Sequence, residues 1–137
     1  MNPAPDEKIT NLLKGAFMQH EFLEDRKDIL IVYLKGRVDV YIADYIDLEL
    51  DKLIKEHPDC HIFLDLSGLE YMNSSCIRIL ISLKRRMEKV NREVKIFNPS
   101  KICKRLIEVV KLNSMIDTYD TRDEAVQSLH DSLKDFM

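Results

Sequence analysis

The residues best suited to chemistry stand in one short run, Asn73-Ser74-Ser75-Cys76, directly ahead of apolar residues at helical spacing. The first turn of a helix leaves backbone N–H groups without intrahelical acceptors and carries partial positive charge, so an anion placed there gains hydrogen bonds and a favourable dipole together. A serine hydroxyl in that position can carry a phosphate without unfolding its own domain. The modification would add about −1.5 to −2 charges at one surface point. Asn73 or Ser74 can equally be a plain N-cap whose work is to hold the helix start. Cys76 sits where a helix start and basic residues lower a thiol pKa, against which stands its use as a small buried apolar residue. The stretch His57-Pro58-Asp59-Cys60-His61 has metal-compatible residue types, but Pro58 breaks the helix that would align them and a fourth ligand is not evident.

Missing motifs narrow the chemistry further. Gly15, Gly36 and Gly68 are too far apart to form a phosphate-cradling loop. The chain contains no His-Glu-x-x-His, no Gly-x-Ser-x-Gly and no Asp-x-Asp-x-Asp-Gly, the usual frames for metal hydrolysis, acyl transfer and calcium binding. The expectation is a protein that is not an enzyme, with no metal and no cofactor.

The elements that must position the serine follow from the apolar pattern. With 137 residues, 45% hydrophobic and 33% charged, the chain has room for one core. Ile9, Leu12 and Leu13 suggest a short helix from about Asp6 to Lys14, ended by Gly15. Phe17 to Leu23 and Ile29 to Leu34 flank the polar stretch Glu24-Asp25-Arg26-Lys27-Asp28, the pattern of a β-hairpin with a longer loop. Ile42 to Lys55 alternates as an amphipathic helix stopped by Pro58, and Ile62 to Leu66 reads as a central strand covered on both faces. A loop from Ser67 to Met72 then delivers the Asn73-Ser74 helix start, with Ile77, Leu80, Ile81, Met87 and Val90 at helical spacing. Val94 to Phe97 is a further strand, Asn98-Pro99-Ser100 opens a helix through Val110, Ile116 to Tyr119 reads as a last strand, and Asp123 to Phe136 as a last helix with Ala125, Val126, Leu129 and Leu133 inward. Strands alternating with helices specify an α/β layered domain. The domain spans residues 16–137, and residues 1–15 form an N-terminal extension with an extra helix.

Charge is unevenly spread: residues 1–77 carry −7, 78–111 carry +8 and 112–137 carry −4, for a total of −3. Arg78, Lys84, Arg85, Arg86, Lys89, Lys104 and Arg105 can together make a positive field near Ser74, or can be ordinary solvated helix faces. Nucleic-acid binding is not expected, because no aromatic residues interleave with the basic ones as a stacking platform requires. The longest aliphatic-aromatic run, Ile29 to Leu34, is far short of the ~18 residues of a membrane-spanning helix. No basic-then-apolar leader opens the chain, and three cysteines without a Cys-x-x-Cys pair suit reduced thiols, so a cytoplasmic protein is expected.

Three stretches in order resemble one family over residues 17 to 135: Gly36-Arg37-Val38-Asp39, then Leu64-Asp65-Leu66-Ser67-Gly68-Leu69-Glu70-Tyr71-Met72-Asn73-Ser74-Ser75-Cys76, then Asn98-Pro99 through Leu106. The chain resembles a STAS domain, in particular the bacterial anti-sigma factor antagonists. That resemblance implies a mixed β-sheet of four to five strands flanked by helices and no enzymatic activity. It also implies a partner switch in which Ser74 is phosphorylated by an anti-sigma factor serine kinase and cleared by a serine phosphatase. The unphosphorylated form of such proteins binds the kinase and frees a sigma factor. On this reading Asp39, Asn73, Ser74, Ser75 and Cys76 shape the partner-binding end, with Arg78 and Lys104 as contacts to an acidic partner.

Two positions depart from the family pattern, Asn73 for Asp and Cys76 for Gly. Asn73 removes a negative charge beside the phosphate site, and Cys76 adds a Cβ where backbone approach would otherwise be freer. Asp39 has a second role open to it, as the cap of the helix near Ile42. Asn113 can take the left-handed conformation that Gly supplies in many relatives. An alternative use of the same domain is a STAS scaffold within a signalling complex that does not use phosphorylation, with homodimerisation an open possibility.

Overall fold

The computed structural model describes residues 16–135, and the expected N-terminal helix lies outside them. A sheet of five strands in the order β1-β2-β3-β4-β5 is built from β1 (Met18–Leu23), β2 (Arg26–Arg37), β3 (His61–Tyr71), β4 (Val94–Phe97) and β5 (Asp117–Tyr119). β1 and β2 are antiparallel, and the remaining pairs are parallel. The parallel crossovers are α1 (Val40–Glu56), α2 (Ser74–Lys89) and α3 (Lys101–Val109), and α4 (Arg122–Asp135) follows β5. This is the α/β layering that the pattern of elements implied, with the mixed sheet that the resemblance implied.

Alternation along the strands divides the core in two. Val32, Leu34, Ile62, Leu64, Val94 and Ile96 face one way and pack against Ile46, Leu50, Leu80, Leu83 and Ile107 of the crossover helices. Ile29, Ile31, Phe63 and Phe97 face the other way and are covered by Ala125 and Leu129 of α4. The near-continuous apolar runs of β3 and β4 follow from helices on both sides. Lys95 is a polar member of this interior; its ammonium reaches Asp117 at 3.1 Å and lies over the Tyr119 ring.

Three expectations are corrected. The hairpin turn is the short Glu24-Asp25, with Asp25 at φ 66°, because Arg26 and Asp28 join β2 and pair with each other side by side at 2.9 Å. β3 does not stop at Leu66: β2 runs on to Arg37 and holds it through the pairs Lys35–Gly68, Gly36–Leu69 and Arg37–Tyr71, so the expected loop is largely strand. After α3 the left-handed residue is Lys111 at φ 59°, while Asn113 lies in the 3₁₀ turn Leu112–Ser114.

Candidate functional site

Three helices begin at the ends of parallel strands, and each start is built the same way. The Ile42 backbone N–H donates to Asp39 Oδ1 at 2.8 Å, the Cys76 N–H to Asn73 Oδ1 at 3.0 Å, and the Cys103 N–H to Ser100 Oγ at 3.3 Å. Asp39 therefore does cap α1. Asn73, not Ser74, caps α2, in extended backbone. The register pairs Arg37 with Tyr71, and Asp39 and Asn73 each lie two residues beyond, so both caps open on the same end of the sheet. Ser100 also donates to the Leu69 carbonyl at 3.1 Å, fastening the start of α3 to the end of β3.

This geometry leaves Ser74 as the first residue of α2, exposed, with Ser75 half-buried beside it. Asn73 satisfies the Cys76 N–H by its side chain, and its carbonyl accepts from Ile77 at 3.1 Å. The N–H groups of Ser74 and Ser75 precede these bonds, so they are the helix donors still facing outward. From Ser74 a shallow groove of about 400 Å³ runs along α2 over Ile77 and Ile81, bordered by Arg78, Ser82 and Arg85. Ile77 and Ile81 read as core positions from their spacing, yet they are only partly buried and floor this outer groove.

The basic segment is more neutralised than its sequence suggests. Arg86 reaches across to α1, with Asp47 at 2.7 Å and Asp51 at 3.4 Å; Lys55 first and Arg86 after it hold the Asp51 carboxyl below its ordinary range. Lys84 meets Glu88 at 3.9 Å. Arg78 faces Asp44 at 3.6 Å with both side chains well exposed, a pair worth at most about 1 kcal/mol and easily redirected.

Two of the expected partner contacts are engaged elsewhere, Cys76 in the core and Lys104 with an acidic residue after β5. Cys76 is 1% exposed, and burial, with the nearby Cys103 thiol second, pushes its pKa up to about 12; the lowered-pKa reading fails because the side chain points into the core under the helix start. Lys104 turns toward β5 and salt-bridges Asp120 at 2.8 Å. The residues of the His57–His61 stretch are occupied separately: the His57 ring meets Phe22 edge-on, the Cys60 thiol donates to the Lys27 carbonyl, and His61 Nδ1 accepts from the Glu93 N–H. The expectations did not include an exposed aromatic set at the same end. Tyr41 is 84% exposed at the start of α1, and Tyr71 stacks under the Arg37 guanidinium at the end of β3. Exposed aromatics adjoining arginine are the residue types that anchor protein interfaces; the signal was present only as isolated tyrosines.

The STAS domain profile matches residues 23–125. The chain belongs to the STAS domain family. It is 24% identical over 107 residues to an anti-sigma F factor antagonist of Paenibacillus polymyxa, a match covering 78% of this chain and 92% of that relative. Among solved structures, an anti-sigma factor antagonist from Mycobacterium paratuberculosis superposes with a TM-score of 0.70 at 19% identity, covering 82% of this chain and 92% of that one. The antagonist SpoIIAA in its unphosphorylated form gives 0.67 at 19% identity, covering 82% and 96%. The phosphorylated form of the Bacillus protein gives 0.61 at 19% identity, covering 82% and 98%. These likenesses establish the fold as that of STAS domains. No helix among the described residues is long and apolar enough to cross a membrane.

Proposed function

We propose that this STAS domain is an anti-sigma factor antagonist that works as a phosphorylation-gated protein-binding switch in the cytoplasm, performing no catalysis of its own. Unphosphorylated, it binds an anti-sigma factor serine kinase and frees a sigma factor. The kinase transfers the γ-phosphoryl group of ATP to Ser74 Oγ, ADP leaves, and the domain is released until a serine phosphatase hydrolyses the ester. The observation that carries this reading is Ser74 itself, exposed at the head of α2 and opening onto the Ile77–Ile81 groove.

The physical logic is local. The groove offers apolar floor to a partner, while Arg78 and Arg85 at its border favour acidic groups. Asp39, Asn73 and Ser75 frame the modified residue, and Tyr41 and Tyr71 extend the surface beyond it. A phosphate on Ser74 puts about −1.5 to −2 charges against that floor, where a bound partner would exclude water. Desolvation worth ~3 kcal/mol weakens binding roughly a hundredfold. The Ser74 and Ser75 N–H groups and a redirected Arg78 accommodate the phosphate without disturbing the core.

Incubation with ATP and the serine kinase that copurifies with the chain, read by intact mass, tests the proposal. The wild type gains one phosphoryl group and Ser74→Ala gains none. Ser74→Ala keeps its affinity for the kinase while Ser74→Asp loses about a hundredfold. Equal affinity of the two variants, or modification surviving in Ser74→Ala, removes Ser74 from the mechanism and leaves the phosphorylation-independent scaffold.

A further inference from the structure

We propose that two copies of this chain pair through the free edge of β1, antiparallel about a two-fold axis at His20, to form one continuous sheet. The inference is independent of the phosphorylation reading. β1 lies at the end of the sheet, with β2 on one side and no described strand on the other. Natural edge strands are usually guarded by lysine, proline or a bulge. β1 (Met-Gln-His-Glu-Phe-Leu) has neither lysine nor proline, and its irregularity falls only between Phe22 and Leu23.

The backbone phase fixes the register of an added strand. The Lys35 N–H donates to the Phe17 carbonyl at 2.9 Å, and Met18 stands opposite Leu34 in the same register. Residues directly opposite in an antiparallel ladder alternate between hydrogen-bonded and non-bonded pairs. Phe17, Gln19 and Glu21 therefore direct their N–H and C=O groups to β2, and Met18, His20 and Phe22 direct theirs outward. This outward set is symmetric about His20. An antiparallel copy centred there pairs His20 with His20 and Met18 with Phe22, matching every outward donor with an outward acceptor over the regular part of the strand.

The side chains agree with the same axis. Met18 belongs to the core beneath the crossover helices, so Met18, His20 and Phe22 share that face and Gln19 and Glu21 share the other. A two-fold perpendicular to the sheet keeps faces matched. It sets the exposed Phe22 against Met18 of the second copy on one face, and Gln19 against Glu21 on the other, an amide donor beside a carboxylate. A shift of the axis by one residue, to Glu21, would instead oppose two carboxylates. Clefts flank the strand on both faces, one of about 370 Å³ reaching Tyr45 and Glu49 and one of about 340 Å³ reaching Asp65 and Ser67. Room on alternating faces is what strand addition requires.

Light scattering of the full chain, with amide hydrogen exchange followed against concentration, tests the pairing. The expected mass is twice the 16.1 kDa of one chain, with protection of the Met18, His20 and Phe22 amides rising as the dimer forms. His20→Pro removes an outward N–H while sparing the β1–β2 ladder, since proline is tolerated where the N–H faces away from the sheet. His20→Glu sets two carboxylates across the axis and leaves the backbone unchanged. Both variants should run at single-chain mass and still unfold cooperatively, losing only the concentration-dependent part of the wild-type stability. A single-chain mass for the wild type at all concentrations overturns the proposal, as does a dimer that survives both variants. Protection of the three amides in a monomeric chain also overturns it, because the edge would then be covered from within.

Discussion

Replacing Asn73 tests how the start of α2 is held, and thereby the platform for Ser74. Its Oδ1 accepts the Cys76 N–H at 3.0 Å, and Cys76 is buried to 1% exposure. In Asn73→Ala the cap is lost and water has poor access to the abandoned N–H. The cost is therefore at the upper part of the usual range for lost caps, about 1–2 kcal/mol. For a chain of this length that is a fall in Tm of about 3–8 °C. Asn73→Asp keeps an oxygen at the same place and adds a charge favourable to the helix dipole, so its stability should match the wild type or exceed it by about 0.3–1 kcal/mol. Thermal and urea unfolding of the three proteins side by side provide the assay. Wild-type stability in Asn73→Ala, or equal losses in both variants, would show that the side-chain cap does not hold this helix and that Ser74 is positioned by something else. Phosphorylation assays on the same variants separate stability from recognition, since Asn73→Asp alters only the charge beside the serine.

The two described glycines should respond unequally to alanine. Gly36 has φ +83° and a Cβ there would lie 3.2 Å from the Phe17 ring, so Gly36→Ala should cost more than about 1 kcal/mol in urea unfolding; in Gly68→Ala the Cβ meets the flexible Lys35 side chain at 3.1 Å and the loss should be smaller. Burial, with Arg92 second, lowers the His61 pKa below 6.5, and protonation would break the bond from the Glu93 N–H. The unfolded chain then takes up the proton first, so this contribution is present above the ordinary histidine pKa and is lost as pH falls toward the lower folded value. Urea midpoints from neutral pH down to about 5 should decline less steeply in His61→Gln than in the wild type; parallel curves would exclude the residue. Burial raises the pKa of all three thiols, so Cys60, Cys76 and Cys103 should resist a thiol reagent at about pH 8 in the native protein and react in urea. Rapid native labelling of Cys76 would contradict its placement under α2.

Much of the site was legible because capping is a local event. Asn73-Ser74-Ser75 ahead of a helical apolar stripe needs only neighbouring residues to become a cap and an exposed hydroxyl, and the structure builds both. The same locality served Asp39, whose side chain closes on Ile42 within its own turn. Where partners lie far along the chain, local pattern failed. Lys104 reads as one more cation of a basic segment, and only β5 folding alongside α3 puts Asp120 in its reach. Cys76 has the neighbours of a reactive thiol, yet the orientation of α2 on the sheet turns it inward.

The apolar periods and turn residues determined by themselves that strands and helices alternate, that β3 and β4 are central, and that a serine stands at a helix head. Those properties depend on spacing along the backbone, which every short segment carries with it. Tertiary structure alone decided how far β3 extends, which isoleucines of α2 face solvent, which basic residues meet an acidic partner, and which backbone groups of β1 face β2. Each of these depends on which distant segment supplies a hydrogen bond, a counter-charge or a covering side chain, and such partners exist only once the chain has closed on itself.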